Sequence, residues 1–275
     1  MKIAAAQIDI RWHDRPANYS AARRMADAAA RAGADLFVLP EMFSTGFSMD
    51  TNATEEAPDG PTRAFLRTLA RETGMHVAGG FVIKDGPGRP RNASLVTAPD
   101  GADLALYHKI HQIGILDEDR HYGPGARPSP FALPGFGAAC LICYDLRFPE
   151  LFRTLAGACT LFLVIASWPA ARQRHWDVLL PARAVENQAY VVGVNRVGEG
   201  GGYAFSGGSA VISPNGETLA RAGAEETLLL AEIDAGEVLN LRRSHPFLKD
   251  RKPLHIQAGW EETTEEFRKT VQPFR

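Results

Sequence analysis

Cysteine is scarce in this chain, with three among 275 residues. So small and odd a number does not make a disulfide framework, and Cys140, Cys143 and Cys159 must each be judged as free thiols. Long apolar runs are missing too. The longest, Leu155 to Ala171, is interrupted by Gly157, Thr160, Ser167 and Pro169, and reads as a helix end followed by a buried strand rather than a membrane span. The opening MKIAAAQIDI has one lysine and is broken by Gln7 and Asp9, which is too polar for a secretory signal. A cytoplasmic location is the resulting expectation. Neither sign of charge dominates. The formal net charge of −2 gives no electrostatic reason to expect nucleic acid or an anionic membrane as partner. No repeat at a fixed period and no Pro/Ser-rich linker divides the chain, so one domain over residues 1–275 is expected.

What the chain does contain is alternation. Apolar runs at Lys2–Ile8, Asp35–Leu39, Gly74–Ile83, Asn92–Thr97, Leu104–Tyr107, Ala138–Ile142, Thr160–Ala166, Tyr190–Val194, Ser209–Ser213 and Thr227–Ile233 predict strands. Asn18–Ala32, Pro61–Thr73, Pro149–Gly157 and Arg174–Gln188 predict helices, the first stopped by Gly33. Phe43–Pro58 and the glycine-rich Glu199–Gly208 are expected as loops. From Arg242 onward the chain is basic and aromatic with little periodicity. Alternating elements predict an α/β layered fold, and the hairpin signal at Pro99-Asp100-Gly101 makes the sheets mixed rather than purely parallel. About ten strands is many for one open sheet, which favours two.

Three of these strands end in a reactive side chain: Glu41, Lys109 and Cys143. A carboxylate, an ammonium and a thiol at one edge form a complete set for acyl transfer. The thiol attacks, and a neighbouring ammonium is expected to lower its pKa. The carboxylate moves protons, and the ammonium with a backbone N–H holds an oxyanion. Cys140, inside the strand that ends at Cys143, and Cys159, at the next strand start, read as core. The C-x-x-C spacing of Cys140 and Cys143 lacks the helix start of a redox pair. His108 and His111 flank Lys109, whose charge would repel a metal ion, so no metal is expected. Gly200-Gly201-Gly202 lacks the strand–loop–helix setting of a phosphate loop, and Ser209 lacks the second glycine of a nucleophile elbow.

The motifs around these residues resemble the nitrilase superfamily, the carbon–nitrogen hydrolases, over nearly the whole chain. LPEMFSTGF at 39–47 is similar to its glutamate motif, YHKIH at 107–111 to its lysine motif and LICYDLRFPEL at 141–151 to its cysteine motif. ASWP at 166–169, ARAVENQAYVVGVNRVG at 182–198 and SPNGE at 213–217 extend the match. The resemblance implies a four-layer αββα sandwich, with two mixed β-sheets between helix layers. It implies catalytic Glu41, Lys109 and Cys143 and no cofactor. It also implies a second glutamate orienting the lysine, for which Glu118 fits, and an oxyanion donor at the Tyr144 N–H. Members pair through a helix face, so a homodimer is expected, with the tail from about 242 packing on the partner. PEMFSTGFSM, the SWP segment and His175-Trp176 look most like the omega-amidase branch, which acts on monoamides of short dicarboxylic acids such as 2-oxoglutaramate. Such a substrate needs a cation, for which Arg172 is the candidate, and aromatic walls, for which Phe43, Tyr144 and Trp168 are candidates. Arg147 is expected to support the cysteine loop. Within the same fold, hydrolysis of N-carbamoyl compounds, deaminated glutathione or nitriles is the alternative, and a non-catalytic binding protein a more distant one. One departure stands out: Gly208 occupies a position where relatives of that branch often carry aspartate.

Overall fold

The computed structural model describes residues 1–252. The chain begins with β1 (Lys2–Gln7), α1 (Arg15–Arg31), β2 (Leu36–Val38), a short α2 (Thr51–Thr54), a two-residue β3 (Glu55–Glu56), α3 (Pro61–Thr73), β4 (His76–Ile83), β5 (Arg91–Thr97) and β6 (Asp103–His108). It continues with a one-turn α4 (Glu118–His121), β7 (Phe131–Leu133), β8 (Phe136–Ile142), α5 (Pro149–Leu155), β9 (Leu161–Ala166), α6 (Gln173–Asn187) and β10 (Tyr190–Asn195). It ends with β11 (Val197–Gly200), β12 (Tyr203–Ser206), β13 (Ala210–Ile212), β14 (Thr218–Arg221), β15 (Thr227–Glu232) and α7 (Ala235–Ser244).

Two mixed sheets result, ordered β15-β1-β2-β4-β5-β6 (with β3 on β4) and β14-β13-β10-β9-β8-β7. The period of two along each strand assigns the layers. In β1, Ile3 and Ala5 face the second sheet and join Leu163, Ile165 and Val192 in one buried core. Ala4 and Ala6 face outward and pack with Ala22, Ala26 and Ala29 of α1 and Leu66 and Leu69 of α3. On the far side, Trp176, Leu180 and Ala184, one turn apart along α6, cover the second sheet. Helix, sheet, sheet, helix is therefore the layer order, as the resemblance implied. Among the described residues no helix is long and apolar enough to cross a membrane.

Local chemistry explains where element boundaries differ from expectation. Helix α1 starts at Arg15 instead of Asn18, because the Asp14 carboxylate accepts the Ala17 N–H at 3.0 Å and Pro16 sits in the first turn. The glycine-rich segment expected as loop is a β-hairpin. Gly201 and Gly202, at φ +59° and +82°, supply the two left-handed residues that a tight two-residue turn requires. Arg242 belongs to α7, and its guanidinium donates to the carbonyls of Cys159, Asn187 and Gln188 in the same chain. Residues 253–275 of the expected partner-packing tail lie outside the described residues.

Candidate active site

Strands β8, β9 and β10 run parallel and in register, Ile142 opposite Ile165 and Ala166 opposite Asn195. Cys143 and Ser167 therefore leave the second sheet at the same edge. The first sheet contributes from the facing side: Glu41 follows β2, and Lys109 follows β6. Backbone bonds hold both stubs. The Gly80 N–H donates to Pro40 O and the Phe43 N–H to Gly80 O, which pins Glu41 between them, and the Lys109 N–H donates to Asn92 O at 2.8 Å. Gly80 is required there, since a Cβ would stand 2.7 Å from Glu41 Cα.

Cys143 has φ +45°, a left-handed conformation that non-glycine residues adopt at a cost, and Met42 beside Glu41 shares it. The turn at Cys143 opens a short helical segment, Cys143–Arg147, whose first N–H groups, Tyr144's included, have no carbonyl behind them in the helix. Asp145 fixes this loop. One of its oxygens accepts from Tyr107 Oη at 2.8 Å and the Ile142 N–H at 3.0 Å. The other accepts from the His111 N–H at 3.1 Å and lies 2.8 Å from His111 Nδ1.

Between the sheets lies a fully buried ionic cluster. Lys109 Nζ donates to Glu41 Oε1 and to both oxygens of Glu118, each at 2.9 Å. The Asn92 amide donates to Glu41 Oε1 at 2.7 Å and to Glu118 Oε1 at 3.0 Å. Glu41 Oε2 accepts the Ser167 N–H and Glu118 Oε2 the Ile113 N–H, both at 2.8 Å. Burial disfavours the ammonium, but Glu118 and Glu41 outweigh it and raise the Lys109 pKa. Burial pushes the Glu118 carboxyl up against the pull of Lys109. Burial, reinforced by the Glu41 carboxylate within hydrogen-bonding reach, pushes the Cys143 thiol well above its ordinary range, and Lys109 only partly offsets this. The expected lowering of the thiol pKa is thus reversed, because burial, with two carboxylates added to it, outweighs the one ammonium.

Cys143 lines a narrow pocket together with Phe47, Ile113, Tyr144, Trp168, Arg147 and Arg172; its enclosed volume is about 10 Å³, and about 270 Å³ counts the open mouth as well. The Arg147 guanidinium lies 4.8 Å from the Trp168 ring centre and 5.6 Å from that of Tyr144, with one N–H donated to His175 Nδ1 at 3.1 Å. Burial and the charge of Arg172 both lower its pKa. A buried N–H of Arg172 has no hydrogen-bond partner among the described residues. Two cations that repel one another, one of them with an idle donor, make a receptor for an anionic group.

Of the residues expected at the site, Glu41, Lys109, Glu118 and Cys143 converge, and Tyr144, Trp168 and Arg172 line the pocket. Phe43 does not. Its ring packs 6.2 Å from Tyr19 and 6.1 Å from Phe65 on the outer face of the first sheet. The left-handed Met42 breaks the strand alternation, sending Phe43 to the face opposite Glu41, and Phe47 is the aromatic wall instead. Arg147 also exceeds its expected supporting role by lining the pocket. Gly208 stands behind the pocket, where its carbonyl accepts the Trp176 indole N–H at 2.9 Å. Asp177 supplies an acid nearby, accepting from Arg221 at 2.7 Å and Gln173 at 3.0 Å. His108 and His111 point apart, to Asp85 and to Asp145. Asn92 and Asp145 were missed. Counting back from the Pro99–Gly101 turn would put Asn92 opposite His108, and a register shift between Val96 and Thr97 brings it to Lys109 instead, which the sequence did not announce.

The chain matches the carbon–nitrogen hydrolase family over residues 2–243. It is 37% identical over 258 residues to Omega-amidase YafV of Escherichia coli (strain B / BL21-DE3), covering 93% of this chain and 98% of that one. It is 36% identical to the 2-oxoglutaramate amidase of Bacillus subtilis (strain 168), covering 81% and 87%. Its fold is similar to a CN-hydrolase superfamily protein from Xanthomonas campestris with an arsenic adduct in the active site (TM-score 0.87, 32% identity, 92% and 98% coverage). It is also similar to an amidase from Nesterenkonia sp. AN1 with acrylamide added to its active-site cysteine (TM-score 0.78, 29% identity, 89% and 97% coverage).

Proposed function

This chain belongs to the carbon–nitrogen hydrolase family, and on that premise we propose that it is an omega-amidase: it hydrolyses the terminal carboxamide of a short dicarboxylic monoamide such as 2-oxoglutaramate, releasing ammonia. The convergence of Glu41, Lys109, Glu118 and Cys143 beneath a pocket carrying two guanidinium groups carries this reading. The relatives named omega-amidase and 2-oxoglutaramate amidase support it.

Cys143 Sγ attacks the amide carbon while its proton passes to Glu41. The oxygen of the tetrahedral intermediate becomes negative and is held by the Tyr144 N–H and Lys109 Nζ. The ammonium spends two of its contacts on Glu118 and the third on Glu41 Oε1, and it is this third contact that turns to the oxyanion once Glu41 has taken the proton. Collapse breaks the C–N bond, Glu41 returns the proton to nitrogen, and ammonia leaves. Water then attacks the thioester with Glu41 taking its proton. The acid departs and the proton goes back to sulfur. Side chains, substrate and water account for every proton and electron pair. Glu118 holds Lys109 in place throughout, and Arg172 and Arg147 bind the distal carboxylate.

The shared core between the sheets supports a single hydrolase domain. We further propose a homodimer formed through the outer face of α6, where Val178 and Val185 are more than half exposed, and a cytoplasmic location. The test is Cys143→Ala against a panel of omega-amides, N-carbamoyl amino acids and nitriles. The wild type should favour 2-oxoglutaramate and show an acyl adduct on Cys143 by mass spectrometry. The variant should stay folded and release only trace ammonia. Ammonia release near the wild-type rate would overturn the mechanism, and preference for another substrate class would overturn the specificity.

A further inference from the structure

We propose that Asn92 is a positioning residue of the reaction, whose amide fills one oxygen of Glu41 and so aims the other at the thiol. The inference rests on the reading of Glu41 as the proton acceptor. A carboxylate oxygen has two lone pairs in the plane of the group. Glu41 Oε1 receives Lys109 Nζ at 2.9 Å and Asn92 Nδ2 at 2.7 Å, which occupies both. Among the described residues Glu41 Oε2 receives only the Ser167 N–H at 2.8 Å. This leaves one acceptor position on Glu41 that no described residue fills, and it belongs to Oε2, on the side of Ser167 and the β9 end that neighbours Cys143.

The second amide proton of Asn92 goes to Glu118 Oε1 at 3.0 Å, which Lys109 also reaches at 2.9 Å. Asn92 and Lys109 therefore bridge the same two oxygens from two sides. This closed ring lets two buried carboxylates stand together over one ammonium. The orientation of the amide is forced, because carboxylates only accept. Asn92 Oδ1 is turned away and finds no hydrogen-bond partner among the described residues. An orphaned buried carbonyl is costly, so the amide is kept for its two donors and not for its fit. The Asn92 backbone adds a further tie by accepting the Lys109 N–H at 2.8 Å.

The charged and titratable groups facing this ring are Lys109 after β6, Glu118 on α4, Cys143 after β8, and the Tyr122 hydroxyl, which feels both carboxylates. Donors to a carboxylate favour its ionised form. Losing both therefore weakens the support for negative charge in the cluster, and the acid limb of the kcat/KM profile, which belongs to the cluster as a whole, moves to higher pH.

Asn92→Leu tests this, since it keeps the shape while removing the donors and the orphaned carbonyl together. With 2-oxoglutaramate, kcat at pH 7 should fall about 10- to 100-fold with KM changed less than about threefold, and the acid limb should move to higher pH. Asn92→Ser, which leaves one hydroxyl donor, should fall between the two and covers the case in which the leucine variant fails to fold. A folded variant with an unmoved acid limb, or a loss confined to KM, overturns the proposal. Glu41→Gln runs alongside. If it keeps near wild-type activity, the reading of Glu41 as base has failed. If it is inactive while Asn92→Leu and Asn92→Ser keep the wild-type profile, only the role of Asn92 has failed.

Discussion

Arg172→Ala separates recognition of the substrate's carboxylate from catalysis. In the free protein the Arg172 side chain forms no hydrogen bond among the described residues, and one buried N–H is left without a partner. The backbone carbonyl of Arg172, which accepts the Trp168 indole N–H at 2.8 Å, survives the change. Folding stability should therefore move by no more than about 0.5 kcal/mol. Binding should not be spared. A hydrogen bond from a guanidinium to a carboxylate contributes about 1.5–3 kcal/mol, or roughly 10- to 150-fold in kcat/KM. Arg147 remains in the pocket 4.8 Å from the Trp168 ring centre and retains part of the attraction, so the loss belongs near 10-fold. A neutral amide of equal length has nothing to offer Arg172 and should lose less than about twofold. The assay is ammonia release from 2-oxoglutaramate and from the neutral amide by wild type and variant. Equal losses on both substrates would refute the assignment, and so would an equal fall in kcat with KM unchanged.

Gly80→Ala should disable the enzyme without touching any reacting group. Its Cβ would stand 2.7 Å from both Glu41 Cα and the Met42 nitrogen, so the Glu41 backbone must shift, and a displacement approaching 1 Å costs on the order of 100-fold in kcat, read in the ammonia assay. Asp103 on β6 concerns stability and pH. Burial opposes its charge, but Arg67 and Arg63 prevail and depress its pKa. Its contribution is thus present above the ordinary carboxylate range and disappears as pH falls through the lowered value. Asp103→Asn should cost about 1 kcal/mol at pH 7 after solvent screening, and denaturant titrations of the two proteins should converge only in acid below the ordinary carboxylate range.

Layer order and the central strands were legible because burial writes directly into the pattern. Ala22, Ala26 and Ala29 recur at helical spacing, and β9 is apolar throughout because both its faces are covered. Glu41, Lys109 and Cys143 were legible for a different reason: each is a polar residue just past a buried strand, and each sits in a motif. Phe43 was misplaced because one left-handed residue, Met42, inverts the alternation after Glu41, and nothing in the side chain of methionine announces a positive φ. Asn92 was passed over because strand-start asparagines are usually solvated, and its partners lie 51 and 26 positions away. The pairing of Arg147 with Arg172 brings together residues from two loops whose closeness depends on the register of β8 with β9. Such contacts follow from topology, which periodicity does not report.

The reversed expectation for the thiol changes how the site works. An ammonium beside a cysteine ordinarily promotes the thiolate. Here Lys109 is already engaged by Glu118 and Glu41, and Cys143 meets burial and a carboxylate before it meets the cation. Burial and the facing carboxylate favour the neutral thiol, and Lys109 and Asn92 hold the Glu41 carboxyl beside it. Proton transfer and attack then belong to one event. As sulfur bonds to carbon its charge passes to the amide oxygen, where the Tyr144 N–H and Lys109 receive it, so no isolated thiolate has to persist in a buried site. Nucleophilicity arises only when an amide carbon is within reach.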